Sequence, residues 1–302
     1  MNKVAIFGGL GNQMFQYALA ISMDAEGIPT KISVNDFLLN RHYQGFELLK
    51  AFDVPMPIVD RWRASLMSRV RPLLMNAGSG LVKNTLSKLL LSSSNEFHEK
   101  LEYQYDEEVM QQRDSHLIGT WQCPKYFESQ QQLIREVFNF NKPHDDLNLK
   151  FSTEIAASNA VAVHVRRGFY LEQSMSRSHM VIDSSDYYYK AFDLISQQVK
   201  NPVFYVFSDD IAWAKRNLKG GRFVFVSHNR GANSYLDMYL MSLCKHFVIA
   251  NSAFSWWPAW LAPNQDKVVV VPKPWVRESD CPSIYLGNWQ AIDVLDNQME
   301  VA

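Results

Sequence analysis

The sequence predicts an α/β protein whose C-terminal half folds as a doubly wound parallel sheet. Three observations predict it. Short β-branched or aromatic runs recur at residues 161–165 (VAVHV), 203–207 (VFYVF), 223–226 (FVFV), 247–250 (FVIA) and 268–271 (VVVV). Helix-like segments separate them: Tyr188, Ala191, Phe192, Ile195 and Val199 share one face, residues 213–218 stop at Gly220-Gly221, and residues 235–243 fill the next gap. Strands that alternate with helices pair in parallel, because each crossover helix returns the chain to the same end of the sheet. Finally, a polar, turn-rich stretch at 139–148 reads as a linker and divides the chain in two. The expected domains are 1–155 and 156–302.

From the start of the chain, VAIF at 4–7 reads as a strand and MFQYALAISM at 14–23 as a helix. Beyond these the first half has no regular pattern. Residues 61–95 carry Arg61, Arg63, Arg69, Arg71, Lys83 and Lys88 and no acid. Leu66, Val70, Leu73 and Leu74 have helical spacing there, although Pro72 breaks it. The segment reads either as a patch for peripheral contact with a membrane surface or as a solvated helical face. The solvated face is the more ordinary reading.

Composition excludes several classes. At 302 residues the chain can bury roughly 75% of its unfolded surface without disulfide or metal staples. Thirty basic against 31 acidic residues give a net charge of −1, which provides no global pull toward nucleic acid. Cys123, Cys244 and Cys281 are far apart and odd in number, so no disulfide framework or zinc ribbon is readable. No signal peptide precedes Gly8-Gly9, and the longest uncharged stretch, 247–265, contains Asn251, two serines and two prolines. A cytoplasmic location is expected.

In an open parallel sheet, ligands bind beyond the carboxyl ends of the strands. At those ends stand His164-Val165-Arg166-Arg167-Gly168, then Ser208-Asp209-Asp210, then Asn251-Ser252-Ala253-Phe254-Ser255. His164 and Arg166, two apart, leave the strand on one face. An arginine fork suits a diphosphate. Ser252 and Ser255 precede Trp256-Trp257, where a helix is expected to start, and a helix start attracts anions. Asp209 or Asp210 suits the donor edge of a base such as guanine. Each residue taken alone also has a plain structural reading: a core histidine, a surface arginine pair, a turn and helix cap. Their coincidence at three strand ends describes a nucleoside-diphosphate site.

The loop Gly8-Gly9-Leu10-Gly11-Asn12-Gln13 also follows a strand and opens a helix. It is no dinucleotide fingerprint, because the third glycine would fall on Met14, and it lacks the P-loop lysine. What remains is a close-approach turn carrying Asn12. The chain has no HExxH, no EF-hand loop and no GxSxG. It also has no Asp-x-Asp, which leaves arginine rather than metal to neutralise a diphosphate.

At these residues the sequence resembles the bacterial α-1,2-fucosyltransferases of glycosyltransferase family eleven. Four blocks carry the resemblance: GGLGNQMFQYALA at 8–20, VHVRRG at 163–168, FYVFSDDIAWAK at 204–215, and DMYLMSLCKHFVIANSAFSWWPAWL at 237–261. It is weak between 40 and 155, as befits a lobe that handles a variable acceptor. The resemblance implies a two-lobed GT-B-like architecture, with a mainly acceptor-side N-terminal lobe. It also implies GDP-β-L-fucose as donor substrate, with no cofactor or metal, and inverting transfer to the 2-hydroxyl of a β-galactoside in a glycan.

Carried over residue by residue, the resemblance gives His164 and Asp209 to guanine and Arg166 to the diphosphate. It places Asn12 near the reacting centre, among the loop positions Gly9, Gly11 and Gln13. Ser208, Asn251, Ser252, Phe254 and Ser255 fall in the donor-contacting segments. One departure stands out: where the family commonly has Asp after HxRRG, this chain has Phe169. Either Glu172 replaces that carboxylate as base, or the departing phosphate takes the proton. The remaining alternatives are α-1,6 transfer, transfer of another GDP-sugar, and a GDP-sugar-binding pseudoenzyme.

Overall fold

The computed structural model describes residues 1–34, 37, 44–54, 58–59, 95–172, 182, 184–277 and 281–294, except the side chains at 58, 59, 169 and 172. The basic segment at 61–95 lies outside these residues but for Asn95. The chain divides into two compact units, Met1–Asn139 and Phe140–Ala302.

The first unit runs β1 (Asn2–Ala5), α1 (Leu10–Ala25), β2 (Thr30–Ser33), α2 (Leu48–Ala51), β3 (Ile58–Val59), β4 (Glu96–His98), α3 (Glu107–Gln111), β5 (His116–Ile118) and α4 (Gln131–Val137). Its five strands pair in parallel in the order β3-β2-β1-β5-β4. The sequence shows only β1 of this sheet, because the other strands span two to four residues and give periodicity nothing to act on. Helix α1 is buried nearly all round, from Leu10 through Met23, which its run of Met, Phe, Ala, Leu and Ile requires.

The second unit runs α5 (Asp146–Ala156), β6 (Asn159–Val165), α6 (Gly168–Glu172), α7 (Asp186–Gln198), β7 (Pro202–Ser208), α8 (Ile211–Asn217), β8 (Phe223–Val226), α9 (Tyr235–Ser242), β9 (His246–Val248), α10 (Ala253–Leu261), β10 (Val269–Lys273) and β11 (Gln290–Asp293). All six strands are parallel, in the order β11-β10-β9-β6-β7-β8. The expected α/β class and parallel sheet are therefore present. The sequence missed β11, whose QAID run is short and half polar.

Strand β6 is covered on both faces. Val161, Val163 and Val165 join the core formed with Tyr188, Ala191, Phe192 and Ile195 of α7 and Ala214 of α8. His164, on the other face, meets Phe254 and Ser255 of α10. This burial on both sides is why the strand reads as nearly continuous apolar residues. The division between units falls at 139/140, at the start of the expected linker, rather than at 155/156. Helix α5 follows that division and packs on α9 and β6, so it belongs to the second unit. Among the described residues, no helix is long and apolar enough to cross a membrane.

Candidate functional site

Counted from β6, the second sheet runs 3-2-1-4-5-6, and its order reverses between β6 and β9. A ligand crevice in such a sheet lies outside the carboxyl ends of the two strands at the reversal. Here those ends continue into Arg166-Arg167-Gly168 and Ile249-Ala250-Asn251-Ser252. Topology thus brings two of the three sequence-predicted clusters to one place. The third, Ser208-Asp209-Asp210, is next to the first, because Val165 pairs with Ser208 in the sheet.

Asp209 holds the β6 loop together. Its Oδ2 pairs with Arg166 Nη1 at 2.9 Å. Its Oδ1 accepts the backbone N–H groups of Arg167 at 2.9 Å and Gly168 at 3.1 Å. Gly168 sits close against the Asp209 backbone, and a Cβ there would lie a tight 3.2 Å from the Asp209 carbonyl oxygen. Arg166 also passes over the Tyr170 ring, 5.9 Å from its centroid. Asp209 therefore ties the arginine and the amides of the β6 loop together. Asp210 is a helix cap, accepting Trp213 N–H at the start of α8, while Ser208 Oγ accepts Asp210 N–H. The second arginine turns away, as its position on the strand required: Arg167 is buried and stacks over Trp213 at 4.3 Å.

His164 lies behind Arg166. It is 4% exposed, and its Nδ1 shares a hydrogen bond of 2.8 Å with Ser255 Oγ. Burial, reinforced by the Arg166 charge, lowers its pKa to about 3. The imidazole is therefore neutral at physiological pH, able to offer one ring nitrogen as donor or acceptor and unable to act as a cation. Helix α10 starts at Ala253, three residues before the expected Trp256, with Ser252 as N-cap accepting the Phe254 N–H at 3.3 Å. Its first turn carries no acid. The N-terminal dipole of α10 and the Arg166 guanidinium provide positive potential at the same strand ends.

Three tyrosine hydroxyls that the sequence reading did not assign hold these strand ends. Tyr188 donates to the His164 carbonyl at 3.2 Å, and Tyr187 donates to the Ile249 carbonyl at 2.6 Å. Tyr170 donates to the Asn251 carbonyl at 2.9 Å, while Asn251 Nδ2 donates to the Trp275 carbonyl. The available signal was the run Tyr187-Tyr188-Tyr189 at a helix start, of which only Tyr188 had been read, as core. A second missed cluster lies after β8. There Asn148 and Asn229 exchange amide hydrogen bonds of 2.9 Å, and Asn229 Nδ2 donates to Asp237, whose pKa burial raises to about 7.

The first unit has its own reversal, between β1 and β5, and the Gly8–Asn12 loop leaves β1 there. Gly8 takes a φ of +77°, and a Cβ on it would lie 2.9 Å from Asn12 Nδ2. Gly9 caps α1 without a side-chain contact. Gln13 is fully buried, donating to the carbonyls of Gly8 and Gly45 and accepting the Glu47 N–H, so its amide holds the loop from behind. Gln16 accepts the Phe7 N–H and donates to the Gly119 carbonyl, tying the loop to β5. The Glu47 carboxylate accepts the Leu10 N–H at the start of α1, and burial raises its pKa to about 7. Gln122, after β5, donates to Asn12 Oδ1 at 3.3 Å. The side chain of Glu172 lies outside the described residues; its backbone ends α6.

The family model "Glycosyl transferase family 11" matches residues 1–293. The Escherichia coli protein named alpha-1,2-colitosyltransferase is 32% identical over 281 residues, covering 91% of this chain and 92% of its own. The O-antigen biosynthesis glycosyltransferase WbnK of the same organism is 28% identical, covering 93% and 97%. Galactoside alpha-(1,2)-fucosyltransferase 1 of Lagothrix lagotricha matches 34% of this chain and 28% of its own at 34% identity. A solved structure of the fucosyltransferase NodZ from Bradyrhizobium covers 87% of this chain and 93% of its own, at 14% identity and a TM-score of 0.44. With matched residues running from the Gly8–Asn12 loop through all three strand-end clusters, the chain is a glycosyltransferase and belongs to glycosyl transferase family 11.

Proposed function

We propose that this glycosyltransferase moves L-fucose from GDP-β-L-fucose to the 2-hydroxyl of a β-galactoside in a glycan, with inversion and without a metal. The observation that carries the reading is the Arg166 guanidinium, held by Asp209 at the sheet reversal beside the start of α10. That is a place for a diphosphate. Arg166 and the Ser252-capped end of α10 would meet the phosphates, and His164, Ser255 and Phe254 would line the nucleoside side. The second unit is read as the donor lobe and the first as the acceptor-side lobe, with Asn12 near the reacting centre.

The reaction breaks the bond between fucose C1 and the phosphate oxygen, whose electron pair leaves with GDP. Negative charge therefore grows on the phosphate as the bond stretches, and a fixed guanidinium stabilises that state more than the ground state. The acceptor oxygen bonds to C1 from the opposite face. Its proton leaves late and is relayed by solvent water to the phosphate departing on the other face, a route that needs no carboxylate at position 169. Peripheral membrane contact through residues 61–95 and a cytoplasmic location are part of the proposal, supported by the basic run and by the three free cysteines, Cys123, Cys244 and Cys281.

A second donor is favoured by one specific finding: a relative covering 91% of the chain is named for colitosyl transfer. Mass spectrometry of products from β-galactoside acceptors with GDP-fucose, GDP-colitose, GDP-mannose and UDP-galactose separates the readings. A deoxyhexose added from GDP-fucose alone supports the proposal. Addition from GDP-colitose alone replaces the donor, and GDP binding without any transfer identifies a pseudoenzyme.

A further inference from the structure

We propose that Gln122 is a positioning residue for transfer, acting through the amide of Asn12. The inference rests on the glycosyltransfer reading above and deepens it. Gln122 follows β5 and Asn12 follows β1, the two strands at which the first sheet reverses. Gln122 Nε2 donates to Asn12 Oδ1 at 3.3 Å. That bond fixes which way the Asn12 amide faces. Its oxygen is turned to the β5 loop, and its Nδ2 hydrogens lie over Gly8, where the chain leaves β1 and where any Cβ would stand 2.9 Å from the nitrogen. An asparagine so held offers donors, not an acceptor, at the reacting centre. Donors are what an oxygen gaining negative charge in transfer requires.

The loop that carries Gln122 is built at some conformational cost. Trp121, fully buried, takes a φ of +55°, a left-handed conformation that is a real outlier for so bulky a residue. Glu99 holds it there, its carboxylate accepting the Thr120 N–H at 2.6 Å, the Thr120 hydroxyl at 3.1 Å and the Trp121 N–H at 3.1 Å. Gly119 is required as well, because a Cβ would lie 2.5 Å from that of Glu99. A loop whose only task was to connect β5 to the next helix would need none of this. The strain places Gln122, which is 6% exposed, against Asn12.

The test is a mutant cycle. Gln122→Glu keeps size and shape but has no N–H to donate, so the Asn12 amide turns over and presents its oxygen. Turnover should fall at least about tenfold, toward the roughly 10²–10³ loss typical of one preorganised donor, with GDP affinity unchanged. Gln122→Met, which places no carboxylate near Glu99, should lose a similar factor. In an Asn12→Ala background, Gln122→Glu should cost less than about twofold, because Gln122 then has nothing to orient. Equal losses in both backgrounds, or no loss in either, would overturn the positioning role. Absence of transfer by the wild-type protein from every donor tested would instead overturn the glycosyltransfer reading and this inference with it.

Discussion

Arg166 and Asp209 form an ion pair of 2.9 Å between the loops that follow β6 and β7, and Asp209 also binds two backbone amides of the arginine's own loop. The two residues should therefore fail differently. Arg166→Ala leaves the loop amides satisfied and should lower thermal stability little. Asp209→Ala strands the Arg167 and Gly168 N–H groups, each costing about 1–3 kcal/mol if it stays dry. Melting curves should thus show the larger loss for Asp209→Ala, and equal melting losses would mean that the loop does not depend on the carboxylate.

The effect on turnover should be large for both. Arg166→Ala removes a charge-assisted contact worth about 1.5–3 kcal/mol in GDP affinity and more in turnover, because the phosphate gains charge as it leaves. Arg166→Lys should rescue poorly, having lost the fork. GDP titration together with steady-state rates measures both quantities. Full turnover by Arg166→Ala would remove it from the site.

Two buried groups give stability opposite dependences on pH. Burial holds the Glu47 pKa at about 7, above its ordinary 4.5, so its contribution is fully present below about pH 4.5 and is lost as pH rises through 7. Asp237 acts with the same sign, so the variant difference isolates Glu47. Glu47→Gln should gain melting temperature relative to wild type at pH 8 and little at pH 5. His164, lowered to about 3, behaves conversely: its contribution is present above pH 6.5 and is lost as pH falls toward 3. A Glu47→Gln difference independent of pH would show that the carboxylate is not held protonated by burial.

Much of the strand-end cluster was legible because β6, β7 and β9 are long or strongly apolar runs, each ending in polar residues. His164, Arg166, Asp209 and Ser252 could be placed at strand ends from that pattern alone. Their division of labour could not. Whether Asp209 faces a ligand or a neighbouring loop depends on the sheet order, and a single sequence does not reveal that Val165 pairs with Ser208. The tyrosines of α7 were hidden for a related reason, since a core-facing position gives no sign of where its hydroxyl ends. The first sheet was unreadable because its strands are too short to alternate, and Gln122 owes its place to a left-handed Trp121 that no composition rule anticipates.

Position 169 sets a further test. If the departing phosphate accepts the acceptor's proton, Glu172→Gln should lower saturated turnover less than about tenfold. A catalytic base there would cost about 10²–10⁴. A loss of a hundredfold with intact GDP binding would assign the proton to Glu172.

Metal independence is checked by exhaustive dialysis against EDTA, after which transfer should continue at the original rate. Activity that returns only with added Mg²⁺ or Mn²⁺ would mean that Arg166 does not neutralise the diphosphate alone.

The most direct measurement of the central claim is the linkage and anomeric form of the product made from GDP-β-L-fucose and a β-galactoside, read by nuclear magnetic resonance. The account expects an α-linked fucose on the 2-hydroxyl of galactose, the inverted product of attack opposite the GDP held by Arg166. Fucose on the 6-hydroxyl, a β-linked product, or no transfer from GDP-fucose at all would contradict it.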